Sequence, residues 1–448
     1  MSYEDTLGLA ERALDALSRS VDEAAVLVSS RVERQVRFSR NEVDVVKTWI
    51  ETEVSVQISI DQRVAVLSTS SISEGALEAF MKRAVELCRR GPRREPYARL
   101  PEGPFSYPIV EGAYDHRLEE PGERLPEIAT EAIESALSEG ARRVAGAVRA
   151  SAGAECLVTT AGVRVWERFS KIYAEARAFL DELTTGHSAM ASRSLDGVDG
   201  STIGSEAGSL AKAGERRERL DPGRYPAVFG WSGMTTLLGV LGSMASAMRV
   251  LAQMSPYVGK LGEEVAEEKF TLVDNPLGAR NYGARSFDLE GLPTRRVEII
   301  EGGVLRTYLH NRFTAKAFGT ESTGHAGWVF PSPWHLELSP GDLSKEELLE
   351  ELNPGVLVNN VTYLRFQNYR TGDFSAIIRD GVFLVRRGEI VGGVRGLRLS
   401  DNVLRMLKSV RAIGREARQV YHWWAEWGPA VTTPMVAFDE VGFTAATV

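Results

Sequence analysis

The sequence predicts an α+β protein in two parts: helices with antiparallel meander units at 1–220, then a mostly β half at 221–448 with one buried helix. Three observations point there. In the first half, stretches of alternating apolar and polar residues twice follow a helical pattern, the mark of strands with one solvated face. Past residue 221 the chain breaks into many short strands separated by tight turns. Between the two lies 225–248, YPAVFGWSGMTTLLGVLGSMASAM, which carries no charge in a protein that is 25% charged.

The first unit opens with a helix over 4–17 that places Leu7, Leu9, Ala10, Ala13 and Leu17 largely on one side. A strand at 24–29 and alternating stretches at 32–38, 43–50, 54–60 and 64–68 form the meander. A helix at 73–89 closes it, with Ala76, Leu77, Phe80, Met81, Ala84, Val85 and Cys88 in its apolar stripe. Arg, Pro and Gly dominate 90–108, a linker or surface crossing. The order then recurs: a helix at 124–137 precedes strands at 143–150, 155–160, 163–170 and 172–180 and another near 187–193. This suggests a pseudo-repeat of 1–90 in 108–195. The segment DGVDGSTIGSEAG at 196–208 reads as a flexible interdomain loop, since no Lys-Ser/Thr ending makes it a phosphate cradle. A helical stretch at 210–217 leads to the boundary at Leu220-Asp-Pro-Gly.

The charge-free stretch opens as a short strand at 226–229 and turns through Gly230-Trp-Ser-Gly233. It continues as a helix with Met234, Leu237, Leu238, Leu241 and Met244 at helical spacing, Ser232 being the expected cap. Pro226, the glycines and Thr235, Thr236, Ser243 and Ser246 dilute its apolarity, so it reads as a core helix, not a membrane span. Strands at 295–301 and 304–310 flank Gly302-Gly303, a hairpin signal. A helix at 312–318 should stop at Gly319, and Ser344 with Glu347 forms a capping box for a helix to 352. Strands at 270–274, 355–360, 373–379 and 382–386 and a helix at 402–410 capped by Ser400 complete the half.

The net charge of -8 is spread along the chain, without the sustained basic face that phosphate contacts need, so nucleic-acid binding is disfavoured. Cys88 and Cys156 form no disulfide framework, and the acidic, amphipathic N-terminus lacks an apolar signal core; the expected location is the cytoplasm.

The six histidines show no metal-ligand spacing, and neither CxxC nor G-x-S-x-G occurs. His325 and His335 lie in a glycine- and proline-rich loop; they fix backbone carbonyls, contact a peptide or a partner's active site, or take part in catalysis. Asp373, in Thr371-Gly-Asp-Phe374, orients a ligand or binds a peptide amine, or else caps a turn. Trp423, Trp424 and Trp427 offer an apolar ledge for peptide, a subunit seal or a terminal lid.

Several of these stretches resemble one family. Gly230-Trp-Ser-Gly233 with its helix, Glu290-Gly-Leu-Pro-Thr294, Ser322-Thr-Gly-His-Ala326 and Thr371-Gly-Asp-Phe374 are similar to the TldD/TldE (PmbA) metalloproteases, of the modulator of DNA gyrase type. The resemblance is detailed in the C-terminal half and one of layout in the N-terminal half. It implies a barrel-like or sandwich arrangement for the second half. In the TldD branch the helix carries HExxxH, with two histidines as metal ligands and the glutamate as base. Aligning the shared Gly-Trp-x-Gly puts Leu237 and Leu238 in the His and Glu slots and Gly242 in the second His slot. Leucine and glycine side chains offer no lone pair and no base. The branch's third ligand is a C-terminal cysteine, and no cysteine follows Cys156.

The resemblance therefore implies a TldE/PmbA-like subunit without a metal of its own. Its expected partner is a TldD-like subunit carrying the zinc, or a second copy, in a homo- or heterodimer acting on unfolded peptide, with no nucleic acid and no membrane. Two alternatives remain: a stand-alone hydrolase with its site relocated to His325, His335 and Asp373, and a non-enzymatic homodimeric peptide-binding scaffold.

Overall fold

The computed structural model describes residues 3–421 and 429–446. The N-terminal elements are α1 (Tyr3–Ser18), β1 (Glu23–Ser39), β2 (Glu42–Ile60), β3 (Arg63–Thr69) and α2 (Glu74–Arg90). After them come α3 (Arg124–Ser138), β4 (Arg143–Thr159), β5 (Arg164–Phe179), β6 (Thr185–Ser192) and α4 (Gly200–Ala213). Helix, three strands and helix thus occur twice. The two sets share one antiparallel sheet in the order β3-β2-β1-β4-β5-β6, joined where β1 pairs with β4.

The strands are longer than the alternation suggests. The stretches 24–29 and 32–38 are one strand, as are 43–50 with 54–60, 143–150 with 155–160, and 163–170 with 172–180. No proline interrupts these junctions, and the polar residues there, such as Ser30 and Arg31, keep their ladder pairs. Alternation sorts the two faces. Val26, Val28, Val54, Val56 and Ile58 pack beneath α1 and α2, and Val36, Phe38, Val148 and Ile172 beneath α3 and α4. The opposite face carries Arg31, Glu33, Arg149, Glu155, Glu167 and Lys171, which look toward the C-terminal half.

The glycine-rich segment is a helix, not a flexible loop. Asp199 accepts a hydrogen bond from the Thr202 amide at 2.6 Å, and α4 begins at the next residue. Gly200, Gly204 and Gly208 recur every four residues on one face, where α4 presses on the α3 backbone. A Cβ on Gly204 would sit 2.2 Å from the Ala132 carbonyl oxygen. Close packing, invisible to local propensity, outweighs glycine's helix cost of about 1 kcal/mol. Gly204→Ala is therefore expected to lower stability by about 1–3 kcal/mol, as overpacking does, despite the better helix former. Gly75→Ala in α2 meets nothing within 4 Å and is expected to be neutral or stabilising. Urea midpoints of the two variants check the contrast.

The C-terminal half begins with β7 (Arg217–Glu218), β8 (Gly223–Phe229), α5 (Trp231–Met244) and α6 (Ala247–Leu251). Next are β9 (Leu272–Asp274), β10 (Val297–Glu301), β11 (Val304–Leu305), α7 (Arg312–Phe318), β12 (Leu336–Leu338) and α8 (Lys345–Glu350). The long hairpin β13 (Gly355–Asn368) and β14 (Asp373–Arg386) follows, then β15 (Glu389–Val394), β16 (Leu397–Asn402) and α9 (Val403–Lys408). Last are β17 (Val410–Ile413), β18 (Arg418–Val420), β19 (Val431–Thr433) and β20 (Val436–Ala445). The run β13-β8-β20-β16-β14 closes on itself through β13 and β14 into a five-stranded barrel-like sheet. A second sheet runs β11-β10-β9-β12-β19-β18.

Helix α5 packs between the two sheets, and its Leu237, Leu238 and Leu241 join barrel residues such as Val358 and second-sheet residues such as Leu336 in one core. Each such leucine contributes about 1.5–3 kcal/mol by its burial. Gly319 ends α7 at φ 65°, and Ser344 with Glu347 forms the capping box. Two expected caps are replaced. Gly230 stands at the N-terminus of α5, leaving Ser232 inside the helix. Asn402, accepting from the Arg405 amide, caps α9, while Ser400 lies in β16 with its hydroxyl 2.9 Å from that of Thr444. Among the described residues no helix is long and apolar enough to cross a membrane.

Candidate functional site

The positions that the resemblance lays on the metal slots lie in hydrocarbon. Leu237 is 2% exposed and Leu238 is 0% exposed. Gly242 faces β12, where a Cβ would stand 2.5 Å from a methyl of Leu336. The small residue thus serves packing within the chain, and Leu336 fills the space an imidazole would need. Zinc takes nitrogen, sulfur or carboxylate oxygen donors, so these residues do not fit it. Among the described residues no group of three or more His, Cys, Asp or Glu could hold a metal ion. Cys88 and Cys156 are buried in the N-terminal half, where burial pushes the Cys156 thiol up to about 12.

His325 and His335 meet on a buried platform beside β9. His325 Nδ1 lies 2.9 Å from the Thr323 carbonyl oxygen and Nε2 lies 3.3 Å from Asp274 Oδ1. The Trp334 amide donates to the same Asp274 carboxylate at 2.6 Å. His335 accepts from the Gly283 amide at Nδ1, 3.4 Å away, which leaves Nε2 to donate to the Thr432 hydroxyl at 2.9 Å. Burial first, then the charge of Arg193, lowers the His335 pKa to about 3. Both rings are 0% exposed and tie loops to strands. Asp373 stands apart, at the start of β14, where it accepts from Thr371 and from Asn402 at 2.8 Å, bonds that hold a turn and lower its pKa. Trp423, Trp424 and Trp427 lie outside the described residues.

Between the charged face of the N-terminal sheet and the loops beside α5 runs a cleft. It comprises cavities of about 390 and about 320 Å³ that share Glu155, Phe169, Lys171, Gly283, Trp334 and Pro429. Ser243, next to Gly242 on α5, lines the first cavity. Most of the cleft's charges are matched. Arg31 pairs with Glu33 at 2.8 Å, Arg149 donates to Glu33 at 2.6 Å, and Arg285 pairs with Glu155 at 3.2 Å. Arg193 donates to the carbonyls of Asn281, Ala113 and Ala284. Glu167 accepts from the Ser286 amide at 2.8 Å and its hydroxyl at 2.7 Å; burial raises its pKa. Lys171 differs: its Nζ stands 5.6 Å from the Phe169 ring centre and 5.3 Å from that of Tyr282. Burial, with Arg193 adding to it, lowers the Lys171 pKa to about 8. The alternation that predicts a solvated face contains these residues but does not show that the face meets the other half of the chain.

A second polar cluster lies beside a cavity of about 650 Å³ at the far end of the same face. Glu175 Oε2 is 3.5 Å from His187 Nε2. Burial pushes Glu175 up to about 8 and His187 down to about 3, so both are mostly neutral near pH 7. Arg177 and Thr185 bond Asp380 at 2.8 and 2.9 Å, fastening the sheet to β14.

Comparison with known proteins agrees with this architecture. A metalloprotease of Methanothermobacter thermautotrophicus is 33% identical over 183 residues, 40% of each chain. Metalloprotease PmbA of Escherichia coli O157:H7 is 27% identical over 44% of this chain and 42% of its own. The first of these matches thus spans well under half of that relative's length. An uncharacterised protein of Methanocaldococcus jannaschii is 26% identical over 86% of this chain and 90% of its own. Among solved structures, TldE from Thermococcus kodakarensis superposes with a TM-score of 0.85 at 21% identity, covering 98% of this chain and 100% of that one. A putative modulator of DNA gyrase from Thermotoga maritima gives 0.84 at 24% identity, covering 99% and 100%. These two show a shared fold. The family model for the PmbA/TldA metallopeptidase C-terminal domain matches residues 222–445, and that for domain 1 matches 24–88. With half of its length under the C-terminal model alone, this chain belongs to the PmbA/TldD family.

Proposed function

We propose that this chain is the TldE/PmbA-like member of a two-subunit peptidase, contributing cleft walls and peptide-binding surface to a partner that holds the zinc. One observation carries the reading: Leu237, Leu238 and Gly242, which the resemblance lays on the ligands and base of the TldD branch, are buried in hydrocarbon, with Leu336 packed against Gly242. Hydrolysis through a metal-bound water needs a ligand set and a base in reach. The charged cleft beside α5 is suited to an extended polypeptide, which presents both charged and apolar groups. The complete burial of His325 and His335 favours this reading over a hydrolytic site relocated to them, because a base must come within about 2.6–3.2 Å of the proton it takes.

The test is metal analysis and peptide cleavage by the purified chain, alone and with a co-expressed TldD-like subunit from the same source. Alone it is expected to hold no stoichiometric zinc and to cleave nothing; together, chelator-sensitive cleavage of unfolded peptide is expected. Chelator-sensitive turnover by the chain alone would overturn the reading.

A further inference from the structure

The geometry points to Lys171 as the anchor for a peptide carboxylate in the cleft, an inference that rests on the peptide-binding part of the proposed function. Arg31, Arg149 and Arg285 each have a carboxylate, and Arg193 has three carbonyls. Among the described residues the Lys171 ammonium makes no ion pair: the Phe169 and Tyr282 rings face it, and Glu155 and Glu167 act on it from beyond pairing distance. Aromatic faces contribute about 0.5–2 kcal/mol to a cation and take none of its three N–H donors. A half-buried ammonium so placed gains most from an anion that brings oxygen acceptors, since charge-assisted hydrogen bonds are the strong ones.

The surroundings narrow the class. Glu155 and Glu167 line the same cavity, so a dianion such as phosphate would meet two carboxyl groups while gaining one unmatched cation. A single carboxylate balances a single lysine. Phe169, Tyr282 and Trp334 stand around the same space and offer apolar surface to the side chain that carries or adjoins that carboxylate. The carboxylate has two possible sources, a free C-terminus and an acidic side chain.

The experiment measures fluorescence anisotropy of N-terminally labelled, unstructured pentapeptides against the full chain without any partner subunit. Three peptides are used: a neutral-side-chain peptide as free acid, the same peptide as C-terminal amide, and an amide containing one glutamate. The free acid is expected to bind at least tenfold more tightly than the neutral amide. Lys171→Met should abolish that preference with an unchanged melting curve, and Lys171→Arg should retain part of it. Tight binding of the glutamate amide, also lost in Lys171→Met, identifies the side-chain source. Equal binding of all three peptides, or a carboxylate preference that survives Lys171→Met, overturns the anchor while leaving the subunit reading intact. Failure to bind any of the three peptides overturns the anchor and counts separately against a peptide-binding cleft, whatever the metal assay gives.

Discussion

Replacing Arg312 with methionine is expected to destabilise the protein by about 3–5 kcal/mol, the usual cost of removing one partner from a buried ion pair. Arg312 reaches from α7 across the junction of the two halves. Its Nη1 lies 3.0 Å from Glu290 Oε1, Nη2 donates to Gln57 Oε1 at 2.8 Å, and Nε donates to the Ala98 carbonyl at 3.0 Å. Its own amide donates to Glu290 Oε2, also at 3.0 Å. Glu290 is 1% exposed, and burial pushes its pKa up to about 7 against the opposing charge of Arg312. Methionine matches much of the arginine's apolar stem and keeps the amide bond to Glu290, but it leaves the Glu290 carboxyl without its counter-charge and Gln57 Oε1 and the Ala98 carbonyl without their donor.

The loss carries a pH signature. Without Arg312 the folded-state pKa of Glu290 rises further above that of the unfolded chain. The folded variant then holds a proton that the unfolded chain has released, so its stability falls as pH rises through that window. Denaturant midpoints should therefore separate wild type from Arg312→Met more at pH 8 than at pH 5.5. The double variant Arg312→Met/Glu290→Gln should recover part of the loss by removing the stranded charge. A single variant within about 1 kcal/mol of wild type at pH 8 would mean the pair behaves like an exposed one.

What the sequence disclosed follows from which forces act locally. Alternation at 24–60 and 143–180 revealed the strands because it records a face, and the Gly319 and Ser344 caps were readable because a cap is a matter of three or four neighbouring residues. Helix α4 was hidden because its glycines suit it only where α3 lies against them. The Lys171 cleft was hidden for a related reason: charged residues at every second position look the same whether they face water or another part of the chain. His325 and His335 were recognised as positions, yet their complete burial depends on Asp274 and Thr432, far away in sequence. The slots on α5 could be assigned only by resemblance, since Leu237, Leu238 and Gly242 taken alone describe an ordinary core helix.

That last point sets the second large effect. Writing the missing residues back, as Leu237→His, Leu238→Glu and Gly242→His together, is expected to abolish folding rather than create a zinc site. Leu238 is fully buried among apolar neighbours, and a glutamate there would lose its solvation without a matched cation. Each unsatisfied buried polar group costs about 1–3 kcal/mol, and a charged one more. At Gly242 the clash comes before any chemistry, because the first side-chain atom already falls 2.5 Å from Leu336. Together with the lost leucine burial this is as large as the roughly 5–15 kcal/mol by which a folded domain is usually stable. The conservative control Leu238→Met keeps volume and apolarity and should cost less than about 1.5 kcal/mol. Circular dichroism, cooperative melting and zinc content of the purified variants decide the matter. A triple variant that melts cooperatively and carries one tightly held zinc would show that the slot has room and donors enough, and that the packing of Leu336 against α5 is no barrier to a metal centre.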